Sequence, residues 1–228
     1  MTEVTVPPES QGERFDFGRS FAFVFEDPDW LNKILLGGLF YLLGVVIVGW
    51  FIVFGYLAAL ARNVIAGVER PLPEWSGIGD YFAEGLKLFA VGLVYLLPNF
   101  LLALMWFGLS VLFDASDSWR VSGPFAMVLL ALFSVPIVLI VYVTMPAALI
   151  RVVVTRRFSA AFEFGRVWDL IRFNAINYLL TIATYIIASF VGQLGFLLCC
   201  IGVFFTSFWG LVVTTHAMAQ TYRYSSVK

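Results

Sequence analysis

The amino-acid sequence predicts an all-α, polytopic transmembrane bundle of about six spans, and three observations predict it. Apolar residues fill 61% of the 228 positions and charged residues only 13%. Soluble domains carry roughly half and a quarter, so there is too little polar surface here to cover a globule and the apolar excess must face lipid. Apolar runs long enough to cross a bilayer recur along the chain. Two marks recur with them: an aromatic, partly charged segment ahead of each pair of runs, and a closing motif behind it.

Residues 1–14 hold Pro7, Pro8, Ser10, Gln11 and Gly12 and read as a mobile tail. They are polar and acidic, with no basic start before a short apolar core, so they do not read as a secretory signal. Residues 15–30 are short, mixed and aromatic, which suits a segment lying at the membrane interface. Residues 31–61 carry no charge except Lys33. As one helix that run would be ~46 Å long, too long for a core of about 30 Å at ordinary tilt. As two helices turning near residues 44–49, each is short but adequate if the pair extends from about 29 to about 67. Residues 86–112 form the next span, with Pro98 near its middle, and residues 114–122 read as a polar loop. Residues 125–154 follow with Pro136 and Pro146 inside, which membrane helices tolerate as kinks. A charged, aromatic connector over 156–172 leads to spans over 173–193 and 196–220, joined by a tight turn at Gly195.

The repeat decides the topology. Interfacial segments appear at 15–30, 75–86 and 158–171. The closing motif Leu57-Ala58-Ala59-Leu60-Ala61-Arg62 matches Pro146-Ala147-Ala148-Leu149-Ile150-Arg151, and His216-Ala217-Met218-Ala219-Gln220 is a fainter third copy with Gln220 in the arginine's place. Each unit is then an interfacial helix followed by a hairpin. Residues 15–228 form one transmembrane domain of three units, about 15–67, 71–155 and 156–224. Six spans put every basic residue but Arg120 on one side, 13 against 1, whereas five spans give 10 against 4. The positive-inside rule prefers the first division, with both termini cytoplasmic and the chain in the cell's inner, cytoplasmic membrane.

Few residues carry chemistry. His216 is the only histidine; it is a candidate proton relay or axial ligand to a haem or pigment, set against the plainer role of an interhelical hydrogen bond. Arg62 and Arg151 are candidates for a lipid-headgroup or anion site, set against ordinary snorkelling at helix ends. Asn99, Asn174, Asn177, Gln193 and Gln220, with several threonines, are uncharged polar groups in or near spans; they line a path or tie helices together. Asn174 and Asn177, three apart, are expected on one helix face. Glycines 37, 38, 44, 49 and 55 predict close packing in the first hairpin. Asp27 before Pro28 reads as a turn and cap signal. The adjacent Cys199 and Cys200 read as packing residues, because neighbouring cysteines rarely reach disulfide geometry. The sequence lacks a phosphate loop, a nucleophile motif and a metal-ligand cluster, so no enzymatic activity, cofactor or metal is expected. A net charge of −1 excludes a strongly basic nucleic-acid surface.

Several short motifs carry a family resemblance. They are Glu26-Asp27-Pro28-Asp29-Trp30, Arg62-Asn63-Val64, Leu72-Pro73-Glu74-Trp75, Gly85-Leu86-Lys87, Phe158-Ser159-Ala160-Ala161-Phe162 and His216-Ala217-Met218-Ala219-Gln220. Together they resemble a family of archaeal and bacterial multi-pass membrane proteins known only as a domain of unknown function. The resemblance implies a six-helix membrane domain and no substrate or reaction. The expected role is a structural or accessory subunit that packs against other membrane proteins or itself within the lipid bilayer. The alternatives are a small transporter or pore with a polar path between repeats, and a cofactor-bearing subunit using His216. A topology reporter fused at residue 1 is expected to read cytoplasmic; an external reading eliminates the six-span arrangement.

Overall fold

The structure is a computed structural model that describes residues 15–114, 119–197 and 201–225. The expected tail, Cys199 and Cys200 lie outside the described residues. Every regular element among the described residues is helical. A short helix α1 (Arg19–Ala22) runs into a 3-10 turn, Phe23–Glu26. The first hairpin is α2 (Trp30–Leu42), a 3-10 turn over Leu43–Val46, and α3 (Val48–Ile65). The second is α4 (Ile78–Asp114) and α5 (Trp119–Thr155). A 3-10 turn (Phe158–Phe162) and the amphipathic α6 (Phe164–Phe173) precede α7 (Ala175–Leu194) and α8 (Gly202–Arg223).

Five of these helices are long and apolar enough to cross a membrane. A sixth candidate appears where Arg19–Glu26 and Trp30–Val46 meet at a bend of 107°. The chain is therefore an all-helical membrane protein with five to six candidate spans. The long run after Leu31 does divide, with its turn at the expected glycines. Gly49 packs so closely on the Phe40 carbonyl that a Cβ there would overlap it. Ile47 takes φ 68° at the turn, a left-handed conformation that a β-branched residue adopts only under strain.

Two boundaries differ from expectation. Residues 78–86 are not a separate interfacial helix but the first turns of α4. Gly85, which weakens a helix on its own, is kept because α3 crosses there: a Cβ on Gly85 would overlap the Phe51 carbonyl, and one on Gly55 the Tyr81 carbonyl. The expected polar loop over 114–122 differs too, because Asp114 ends α4 and α5 already begins at Trp119. Arg120, Val121 and Ser122 form its first turn, where backbone N–H groups need no intrahelical partner.

The last helix is the centre of the bundle. It packs against α1, α2, α3, α5 and α7. Gly37 and Gly38 of α2 leave room for the rings of Phe208 and Phe205 of α8. Around them Tyr56, Leu60, Val53, Val212 and Val213 are fully buried. Thr181 and Thr221 join α7 to α8 through a hydroxyl pair at 2.8 Å. Tyr178 of α7 donates to the Val143 carbonyl of α5, in the turn loosened by Pro146. The α4–α5 hairpin departs from this enclosed centre. Phe100, Phe107, Phe133 and Tyr142 are each more than half exposed.

Replacing Gly85 by alanine is expected to lower the unfolding free energy in mixed micelles by about 2 kcal/mol or more, because backbone must move. Gly108→Ala, with nothing within 4 Å of its Cβ, is expected to be neutral or slightly stabilising. Equal effects of the two would show that the α3–α4 crossing does not need its glycine.

Candidate functional site

Two motif boxes that lie far apart in the chain meet at one buried cation. Lys33, in the second turn of α2, is 4% exposed and Asp27 is 5% exposed. The Lys33 ammonium donates to Asp27 Oδ2 at 2.8 Å and to the Leu72 carbonyl at 3.3 Å, and pairs with Glu74 Oε1 at 2.6 Å. Asp27's other oxygen accepts the Asp29 N–H at 2.8 Å, so the expected turn at Asp27-Pro28 is present and the carboxylate serves both roles. Trp75 donates its indole N–H to the Lys33 carbonyl at 3.0 Å and stacks on Tyr56, with ring centroids 4.1 Å apart. The sequence marked Asp27, Glu74 and Lys33 separately. Nothing in their spacing signals that the loop after α3 folds back onto α2.

Arg62, Arg151 and Gln220, which end the recurring sequence motifs, each bind a residue outside their own helix. Arg62 makes a two-pronged pair with Glu84, one prong at 2.6 Å. Arg151, 5% exposed, reaches Glu163 at 2.5 Å and the Ala160 carbonyl at 3.4 Å. Gln220 binds the first segment: its Oε1 accepts the Asp16 N–H at 2.8 Å, and its Nε2 donates to the Asp16 carbonyl and Ser20 Oγ at 3.1 Å. Arg62 and Arg151 thus have their charges answered inside the protein.

The same amide orients His216. The Asp16 N–H can only donate, which fixes Gln220 Oε1 as acceptor and Nε2 as donor. Gln220 Nε2 lies 3.1 Å from His216 Nδ1. Ser20 Oγ lies 3.4 Å from the same Nδ1, so the imidazole joins the network that Gln220 makes with Asp16 and Ser20. The ring also stacks on Phe23 at 4.0 Å and is 3% exposed.

The other polar candidates are not brought together. Asn99 is on α4, and its Oδ1 is buried without a partner among the described residues. Asn174 stands just ahead of α7 rather than on it, and its Nδ2 donates to the Leu170 carbonyl and to Ser225 Oγ at 2.7 Å. It therefore does not share a helix face with Asn177 of α7. Gln193 is exposed at the far end of α7, ~30 Å along the axis from Asn174.

The family described as "Protein of unknown function (DUF4013)" matches residues 38–201. The chain belongs to this family. No curated protein matches the chain, and no solved structure matches it. Within the DUF4013 region lie both arginine–glutamate pairs and the Leu72–Trp75 box, while Asp27, Lys33, His216 and Gln220 lie outside it.

Lys33→Met is expected to cost about 3–5 kcal/mol of unfolding free energy, because it strands the Asp27 carboxylate. Lys33→Met with Asp27→Asn should recover part of that loss. Glu74→Gln should cost under about 1 kcal/mol, since the Glu74 side chain is 69% exposed and screened. A Glu74 effect as large as that of Lys33 would refute the assignment of Asp27 as the dominant partner.

Proposed function

We propose that the chain is a non-enzymatic membrane subunit that packs against other membrane proteins, with both termini cytoplasmic. The carrying observation is the α4–α5 hairpin. Each of its helices has 37 residues, so each is ~55 Å long against a hydrocarbon core of about 30 Å. Apolar side chains continue along them, with Phe107, Val111 and Phe125 exposed towards the tip. Apolar helix that overreaches the hydrocarbon needs protein to cover it.

The interior supports the same reading. The second helix of each hairpin, α3, α5 and α8, touches the other two. Arg62 binds the start of α4, Arg151 binds Glu163 just ahead of α6, and Gln220 returns to Asp16 ahead of α1. We read this as three units joined head to tail in a ring, as the repeated motifs imply. The centre of that ring is filled by Tyr56, Phe208, Val53 and Val212, and an apolar filling disfavours a substrate path there. The scattered placement of Asn99, Asn177 and Gln193 disfavours one elsewhere.

Extraction from native membranes in mild detergent, followed by sizing and identification of stoichiometric companions, is expected to give a particle with fixed partners. Replacing Phe100, Phe107 and Phe133 together by alanine is expected to release them while the chain stays folded. A lone monomer from native membrane removes the proposal.

A further inference from the structure

The connector between α5 and α7 holds more positive charge than it answers. The Glu163 carboxylate stands within reach of three guanidiniums, Arg151 at 2.5 Å, Arg166 at 3.4 Å and Arg157 at 3.5 Å. Arg151 is buried and holds it closest, so that pair is neutral inside the protein. The side chains of Arg157 and Arg166 are 60% and 65% exposed. Neither has another acidic partner among the described residues. Arg172, further along α6, is answered by Asp169 at 3.0 Å. Two guanidiniums at the start of α6 are therefore left without a matching anion.

The helix that carries Arg166 has three faces. Val167 and Leu170 are buried against the bundle. Phe164, Trp168 and Ile171, four and three residues apart, form a second stripe. On it Phe164 and Trp168 stay more than half exposed. Arg166 and Asp169 lie on the side of the helix opposite that stripe. The depth of this helix follows from its neighbours. The candidate span Ala131–Thr155 ends just before the connector and Ala175–Leu197 begins just after it. A connector that leaves one span and enters the next lies at a single membrane boundary.

We propose that this surface docks on the acidic phospholipids of the adjoining leaflet. Phe164 and Trp168 enter the outer acyl region, and the guanidiniums of Arg157 and Arg166 meet the headgroup anions. A soluble anion would answer the arginines and leave the rings in water. A leaflet of zwitterionic lipid would cover the rings and leave the two charges unmatched. Acidic lipid satisfies both, and charge near such a surface is attracted strongly enough to select it. An acidic protein would match the charges, but the rings lie at the depth where acyl chains begin.

Lipid selectivity is read by reconstituting the full-length protein in phosphatidylcholine liposomes with trace spin-labelled phosphatidylglycerol or spin-labelled phosphatidylcholine. The fraction of each label immobilised at the protein surface gives their relative association constant. Phosphatidylglycerol is expected to be preferred at least about threefold. Arg157→Gln with Arg166→Gln is expected to remove at least about half of that preference. Arg19→Gln with Arg70→Gln removes the same charge elsewhere and should keep it. The proposal is overturned by equal immobilisation of the two lipids, which would assign the arginines to an acidic protein. It is also overturned by an unchanged preference in the Arg157 and Arg166 pair, or by an equal loss in the Arg19 and Arg70 pair. No companion protein enters the measurement, so its result is separate from that for the α4–α5 hairpin.

Discussion

A lysine ammonium buried in an apolar helix is unfavourable unless carboxylates and carbonyls answer it. Lys33 is answered from two directions, and much of the first third of the protein follows. Asp27 reaches it only because the chain bends by 107° between the short leading segment and α2. Glu74 and the Leu72 carbonyl reach it only because the loop after α3 folds back beneath the hairpin. With that loop in place, Trp75 hydrogen-bonds the Lys33 carbonyl and lies flat on Tyr56, which packs against Phe208 of α8. One cation therefore ties together a bend, a loop and the aromatic centre of the bundle.

The centre itself is built on close approach rather than on apolar content. Among the candidate spans α8 is the least hydropathic, at a mean hydropathy of 1.2 in its best window against 2.2 for α4 and 2.4 for α5. A helix enclosed by protein does not need a lipid-compatible surface and can carry Thr214, His216, Gln220 and Thr221, provided each finds a partner. Thr214 donates to the Gly210 carbonyl, and Thr221 meets Thr181. The most apolar helices are the outer ones, as a lipid or partner surface requires.

Helix existence and the turn of the first hairpin were legible in the sequence, because apolar run length and glycine clustering are local signals. The roles of Gly37 and Gly38 were legible for the same reason. The start of α4 was not, since the reading of residues 75–86 as a separate segment weighed charge and aromatics, whereas the contact between Gly85 and Phe51 on another helix keeps the helix continuous. Asn174 and Asn177 were expected together on spacing alone, but the α6–α7 junction falls at Asn174. The partners of Lys33, Arg62 and Arg151 are set by how loops return to the bundle, which periodicity does not encode.

A basic residue at a helix end satisfies the topological preference for cytoplasmic charge, but a fold that covers it must still neutralise it. Arg62 and Arg151 are neutralised by Glu84 and Glu163 from the segments that follow them. Gln220, near the end of α8, faces the backbone of Asp16, which presents an N–H and a carbonyl together. A guanidinium has no acceptor for that N–H, and it would stand as a third cation near Arg19 and Arg223. An amide offers both an acceptor and a donor without charge, and its Nε2 also donates to Ser20 Oγ. The amide at Gln220 thus has a physical cause: it meets both backbone groups of Asp16 and adds no charge beside Arg19.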